Sequence, residues 1–122
     1  MNPEGIFKGK LISAKYDISH RNETEICKLE WELNPTTNNV AIAVHAPIYV
    51  NDWFALTSNT LWRMDQFIAI MLKLGVDLRT VDVPLEQVAI LCAPAIGKEA
   101  ILEVSYMKNA PKFYKINYLW LQ

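Results

Sequence analysis

Lysines and aromatic residues share the strand-like segments of this chain. Ammonium groups neutralise phosphates and aromatic rings stack on bases, so the combination is suited to contacting a single-stranded polynucleotide. Phe113, beside Lys112 and Lys115, is the first candidate for stacking, and Trp53 and Phe54, in a predicted loop over 51–54, are the next. The candidate cations are Lys8, Lys10, Lys15, Arg21, Lys28, Lys108, Lys112 and Lys115.

The distribution of charge favours this chemistry only locally. The net charge is -1 at pH 7, whereas domains that bind nucleic acids are typically basic. Residues 104–122 contain lysines and no acid, so part of the positive charge is concentrated there. Glu30 and Glu32, however, fall on the same predicted outer face as Lys28 and would repel phosphate. Lysines at outward strand positions are also commonly solvated residues that protect sheet edges.

Enzymatic chemistry has little support in the sequence. The two histidines, His20 and His45, have no cysteine, serine or carboxylate at a spacing typical of a catalytic motif. The chain also lacks a glycine-rich phosphate loop, a zinc-binding pattern and a nucleophile elbow. We therefore expect no catalysis, no cofactor and no bound metal.

Length and composition predict one globular domain, residues 1–122. Of the 122 residues, 52% are hydrophobic and 20% are charged, which is enough apolar material for a single core. No apolar run approaches the roughly 18 residues of a membrane span, and the N-terminus lacks a signal-peptide pattern. We therefore expect a cytoplasmic protein that does not enter membranes. Cys27 and Cys92 match no metal-binding spacing and are expected to be buried free thiols.

The first half of the chain predicts three strands. In the first strand, 6–18, the apolar positions change phase between Leu11 and Ile12, which a β-bulge or a strong bend would accommodate. The second strand, 26–33, alternates cleanly between apolar and polar residues, and the third is predicted over 40–49. The expected inward residues of the second strand are Cys27, Leu29, Trp31 and Leu33.

The second half predicts one long helix and a β-hairpin. Apolar residues recur three and four positions apart over about 60–74, and Gly75 follows as a left-handed cap. Segment 76–96 has no clear pattern apart from one short helix near its centre. Strands over 99–107 and 112–121 then flank a turn. The apolar stripe of the long helix consists of Leu61, Met64, Phe67, Ile68, Met71 and Leu72.

Three strands, one helix and two strands follow one another in the chain order of the OB-fold. This five-stranded barrel is often used to bind oligonucleotides or oligosaccharides. The sequence therefore predicts a mainly β protein with one main helix, folded as an OB-like barrel in the order β-β-β-α-β-β. On such a barrel, Arg21 in the first hairpin would flank the binding face on one side. Lys108, Lys112 and Lys115 in the last hairpin would flank it on the other.

The last hairpin has an apolar outer face, which proteins seldom leave exposed to water. Either segment 76–96 or a second subunit would cover this face. We expect a homodimer, whose interface would consist of Ile101, Met107, Leu119 and Leu121.

The chain resembles the small phage and prophage single-stranded-DNA-binding proteins that are encoded beside recombination and replication genes. The resemblance extends over most of the chain, through Gly5–Tyr16, Leu61–Leu74, Gly97–Ala100 and Lys112–Ile116. It implies an OB-fold protein that binds single-stranded DNA, with a recombination or replication protein as a further partner. Such proteins often recruit partners through an acidic C-terminal tail. This chain ends in strand-like residues, so recruitment through a tail is not expected.

Two functions fit these patterns. The first is binding of single-stranded DNA without sequence preference, for which about five phosphate contacts would give a log–log salt slope near -3.5. The second is a phage-type protein-interaction module, either an adaptor or an inhibitor of a host enzyme, on the same scaffold. The near-neutral charge and the apolar face of the last hairpin favour the second function.

Overall fold

A computed structural model describes residues 4–18, 24–35, 48–56, 61–79, 83–107 and 110–119, and for residues 35, 61–63, 107 and 110–113 it describes the backbone alone. Within these ranges the protein is mainly β, with five antiparallel strands in one open sheet and two α-helices. The strands are β1 (Gly5–Ile18), β2 (Glu25–Pro35), β3 (Ile48–Ala55), β4 (Glu99–Met107) and β5 (Ala110–Tyr118). The helices are α1 (Leu61–Lys73) and α2 (Val88–Leu91).

The sheet has the order β3-β2-β1-β4-β5, so β1 is central and β3 and β5 form the two edges. The third strand differs most from its prediction, because β3 covers 48–55 rather than 40–49. Residues 40–47 lie outside the described residues. Asn51 and Asp52 suggested a loop, yet both pair with β2. Pairing with a neighbouring strand here outweighs the low β-propensity of these two residues.

The central strand β1 contains the predicted bulge. Its register against β2 shifts between Leu11 and Ser13, close to the predicted change of phase. An extra residue in one strand restores the alternation of faces. As a result Lys10 and Lys15 lie on the same face of the sheet, although an odd number of positions separates them. The first half of β1 also pairs with β4, so this strand connects both parts of the sheet.

The core lies on the inner face of the sheet. The four inward residues predicted for β2 are buried, and so are Leu102 of β4 and Tyr118 of β5. Trp31 and Tyr118 pack with ring centroids 6.0 Å apart, and Phe54 and Phe67 pack at 5.5 Å. Tyr106 of β4 and Tyr114 of β5 are only partly buried.

Helix α1 is present, but it is rotated relative to its prediction. Its buried residues and those of the turn that follows are Phe67, Ile70, Met71 and Leu74. Leu72, predicted in the apolar stripe, is 41% exposed, so that assignment is wrong. The helix is apolar over a wide arc, and contact with the sheet determines which part is buried. Gly75 has φ 93°, as expected of a left-handed cap. None of the helices in the described ranges has the length and apolar character needed to span a bilayer.

The segment between α1 and β4 completes the core. It contains the short helix α2, flanked by 3₁₀ turns at Leu85–Gln87 and Ala93–Ala95, and these elements pack against β1. Its buried side chains, including Val88, join the same core as the sheet. They are therefore not available to cover the outer face of the β4–β5 hairpin. Cys27 and Cys92 are both buried free thiols, as the sequence predicts.

Candidate nucleic-acid interface

The outer face of β1 and β2 carries four of the candidate cations. Lys8, Lys10 and Lys15 are exposed on β1, and Lys28 is half-buried on β2. Lys115 is exposed on β5, at the far edge of the sheet. Outside the described residues are Arg21, Lys108 and the side chains of Lys112 and Phe113.

Three side chains on this face form what we call the Lys15 row: Lys15, Lys28 and Trp53. Lys15 on β1 lies directly opposite Lys28 on β2, and Lys28 lies directly opposite Trp53 on β3. Like charges in directly opposite positions destabilise a sheet. In the described part of the chain, neither lysine forms a salt bridge that would offset this repulsion. The Lys15 row therefore combines two adjacent cations with an indole that is 51% exposed.

A second row on the same face has a different character. The Lys10 row consists of Lys10, Glu32 and Tyr49, which lie opposite one another across β1, β2 and β3. Lys10 also lies opposite Glu99 of β4, so it has an acid on each side. Burial, followed by the charge and hydrogen bonding of Glu32, raises the pKa of Tyr49. Lys10 therefore has two acids directly opposite it, whereas Lys15 and Lys28 lie opposite each other and have none; Glu30 lies between the two rows on the same face.

The two aromatic residues of β3 have different roles. Successive residues of a strand point to opposite faces. Phe54 is fully buried in the core, so its assignment as a stacking residue is wrong. Trp53 points to the outer face and has the exposure that stacking requires.

The two edge strands approach each other through tyrosine side chains of β5. The Tyr114 hydroxyl accepts a hydrogen bond from the Asn51 backbone N–H at 2.6 Å and donates one to the Asn51 carbonyl at 2.9 Å. The Tyr118 hydroxyl donates to Oδ2 of Asp52 at 2.7 Å. Burial raises the pKa of Tyr114, so its hydroxyl retains the proton that it donates. We call this junction of β3 and β5 the seam.

A cleft of about 470 Å³ opens at the seam, and we call it the seam cleft. Trp53 belongs to its lining, which connects the cleft to the Lys15 row. The other lining residues are Asn51, Asp52, Gln66, Tyr114, Lys115, Ile116 and Asn117. Sequence reasoning identified Trp53 and Lys115 but missed the rest. A buried tyrosine usually needs a hydrogen-bond partner for its hydroxyl, so Tyr114 and Tyr118 could have indicated contacts of this kind. The strand that supplies the partner cannot be read from the sequence.

The outer face of the β4–β5 hairpin is less apolar than the sequence suggested. Ile101 and Leu119 are half-buried there. Next to them along the hairpin, Glu103 lies opposite Asn117, whose side-chain Nδ2 is 3.5 Å from Oε1 of Glu103. Of the other residues expected at an interface, Leu121 lies outside the described residues, and Met107 is described only by its backbone in β4.

The histidines and the possible metal ligands are the remaining candidates for chemistry. His20 and His45 lie outside the described residues. Within the residues that are described, His, Cys, Asp and Glu side chains form no group of three or more that could hold a metal ion. No protein-family model matches the chain, and no curated protein is significantly similar to it. These two comparisons therefore assign no function, and the geometry of the outer face is the main basis for a proposal.

Proposed function

We propose that this protein binds single-stranded DNA without sequence preference on the outer face of β1, β2 and β3. The observation that carries the proposal is the Lys15 row. Two lysines held side by side without an acid partner in the described residues repel each other, and a bound phosphate would relieve that repulsion. The adjacent indole of Trp53 offers a stacking surface, which every base can use.

The path of the strand follows from the order of the sheet. Neighbouring strands are about 4.8 Å apart, so the Lys15 row extends over about 10 Å from β1 to β3. Beyond Trp53 the seam cleft begins, with Lys115 on its other side. A polynucleotide crossing the strands would therefore meet Lys15, Lys28, Trp53 and Lys115 in turn. The Lys10 row, with its flanking acids, would contribute less.

We also propose that the sheet closes as an OB-like barrel comprising residues 1–122. The two hydroxyl groups of β5 that reach β3 support this closure, because they join the free edges of the sheet. In OB-folds the face of strands 2 and 3 binds oligonucleotides. Lys28 and Trp53 belong to those strands here. The resemblance to phage single-stranded-DNA-binding proteins favours the same function, in DNA replication or recombination.

The proposal is tested by fluorescence anisotropy of a labelled oligo-dT of about 30 nucleotides, titrated at salt concentrations from about 50 to 200 mM. We expect a log–log salt slope near -3.5 for the wild type, since each contact with a single strand contributes about -0.7. Lys28→Gln should reduce the magnitude of the slope by about 0.7 and weaken binding about fourfold at 0.15 M salt. Its unfolding free energy should rise by about 0.2–1 kcal/mol, because the repulsion with Lys15 is removed.

Lys73→Gln is the matched control, because Lys73 is an exposed lysine on α1 and does not belong to the outer face. It should leave both the slope and the affinity unchanged. A wild-type slope near zero would contradict the proposal. An equal loss of affinity in Lys28→Gln and Lys73→Gln would mean that the Lys15 row is not the site.

A protein-interaction module, an adaptor or an inhibitor of a host enzyme, is the second candidate. Two apolar side chains on the helical side favour it, since Ile90 is 70% exposed and Leu72 is 41% exposed. Lys112→Glu combined with Lys115→Glu separates the two functions. The double change should abolish DNA affinity if the first function is correct, and should leave a complex formed through the apolar residues intact if the second is correct.

A further inference from the structure

We propose that the seam cleft holds one unstacked base of the bound strand, so that the protein contacts the polar edge of a base in addition to the face that stacks on Trp53. This inference rests on the proposed binding of single-stranded DNA and names the part of the ligand that one site takes. The cleft has about 470 Å³, within the range of about 300–1,000 Å³ that is usual for small-ligand sites. Its position beside Trp53 places it where the Lys15 row would deliver the strand.

The lining of the cleft matches the chemistry of a nucleotide. Side-chain amides come from three elements: Asn51 of β3, Gln66 of α1 and Asn117 of β5. An amide offers both a donor and an acceptor, so such a lining can hydrogen-bond the edge of any base. Trp53 adds an aromatic ring to the lining, and Lys115 adds a cation for the adjoining phosphate. A lining of this kind favours a base attached to a phosphate and does not distinguish one type of base from another.

The side chain of Asn51 gives the most direct indication of a ligand. Its Oδ1 atom is buried and has no hydrogen-bond partner in the described structure. A buried acceptor without a partner costs free energy, so such atoms are uncommon unless they have a function. The backbone of Asn51 is held by Tyr114, whereas among the described residues its side-chain amide has no hydrogen bond that a rotation would break. The amide can therefore rotate to meet a base that enters the cleft.

The carboxylate of Asp52 bears on which part of the nucleotide enters. It lines the cleft, and its Oδ2 accepts the hydrogen bond from Tyr118. A carboxylate repels phosphate at close range. The base, which is neutral, is therefore the part that enters, and the phosphate stays at the mouth with Lys115.

The test compares two labelled ligands with the same charge: oligo-dT of about 30 nucleotides and an abasic oligonucleotide with the same number of phosphates. The wild type should bind oligo-dT about 5- to 150-fold more tightly, which is the range for one stacked base. Trp53→Ala should remove most of this preference. Asn51→Ala should reduce this preference about two- to tenfold, which is the value of one hydrogen bond. The change should not lower the Tm of the free protein through a lost Oδ1 hydrogen bond, because Oδ1 has no partner in the described structure.

Asn34→Ala is the matched control, because Asn34 is an exposed amide on β2, opposite Lys8, and does not line the cleft. It should retain the full preference for oligo-dT. If both ligands bind the wild type equally and with the same salt slope, the base site is wrong while the phosphate-binding function stands. An unchanged preference in Asn51→Ala would also overturn the base site, because stacking on Trp53 alone would then account for the preference. If neither ligand binds, the proposed function itself fails.

Discussion

Tyr114→Phe tests whether hydrogen bonds from one hydroxyl hold the two edges of the sheet together. That hydroxyl forms two hydrogen bonds with Asn51, at 2.6 Å to its N–H and at 2.9 Å to its carbonyl. A hydrogen bond between neutral groups contributes about 0.5–1.5 kcal/mol net, so the change should lower the unfolding free energy by about 1–3 kcal/mol. For a chain of this size, each kcal/mol corresponds to a decrease in Tm of about 3–5 °C.

Urea denaturation and amide hydrogen exchange measure this effect. The urea midpoint should fall with an unchanged m-value. The backbone N–H of Asn51 should exchange faster, because its acceptor has been removed. Tyr106→Phe is the matched control. Tyr106 lies opposite Tyr114 and contacts its ring at 5.7 Å. A loss below about 0.3 kcal/mol in Tyr114→Phe, or an equal loss in the two variants, would refute the view that the hydroxyl joins the edges.

Two further predictions concern stability at alkaline pH and self-association. Burial raises the pKa of Cys27 and Cys92 from 9.0 to about 12, so the unfolded chain loses these thiol protons at lower pH than the folded chain. Stability is fully retained below about pH 9 and falls above it, by roughly 1 kcal/mol per thiol at pH 10. Urea denaturation at about pH 8 and pH 10 measures the decrease in unfolding free energy between them, which should be smaller in a Cys27→Ala, Cys92→Ala variant than in the wild type. An equal decrease in the two proteins would contradict the assignment to the thiols. For the proposed homodimer, Leu119→Asp should halve the mass measured by light scattering, since it puts a charge in the hairpin face, and a wild-type monomer would exclude that interface.

Local patterns in the sequence were sufficient for most of the elements. The alternation of Cys27 to Leu33 predicts both the strand β2 and the face that it buries, and the structure confirms each. The change of apolar phase after Leu11 likewise predicts the bulge in β1, and the register against β2 shifts there. A side chain's face in a strand depends on its immediate neighbours along the chain, so burial is recorded locally. Helix α1 follows equally from its spacing, but the arc that it buries does not, because Leu72 and Ile70 are equally apolar.

The candidate site depended on the tertiary structure. Lys15, Lys28 and Trp53 could each be named from the sequence, but their direct opposition required the register of three strands. Asn51 looked like a loop residue until β3 was seen to pair with β2. The seam joins Asn51 to Tyr114, which are 63 positions apart. Sequence alone therefore determined most of the strands and the side chains that β2 buries, but not the position of β3. Only the folded chain decided which distant side chains meet, because register and edge contacts depend on interactions that no local pattern records.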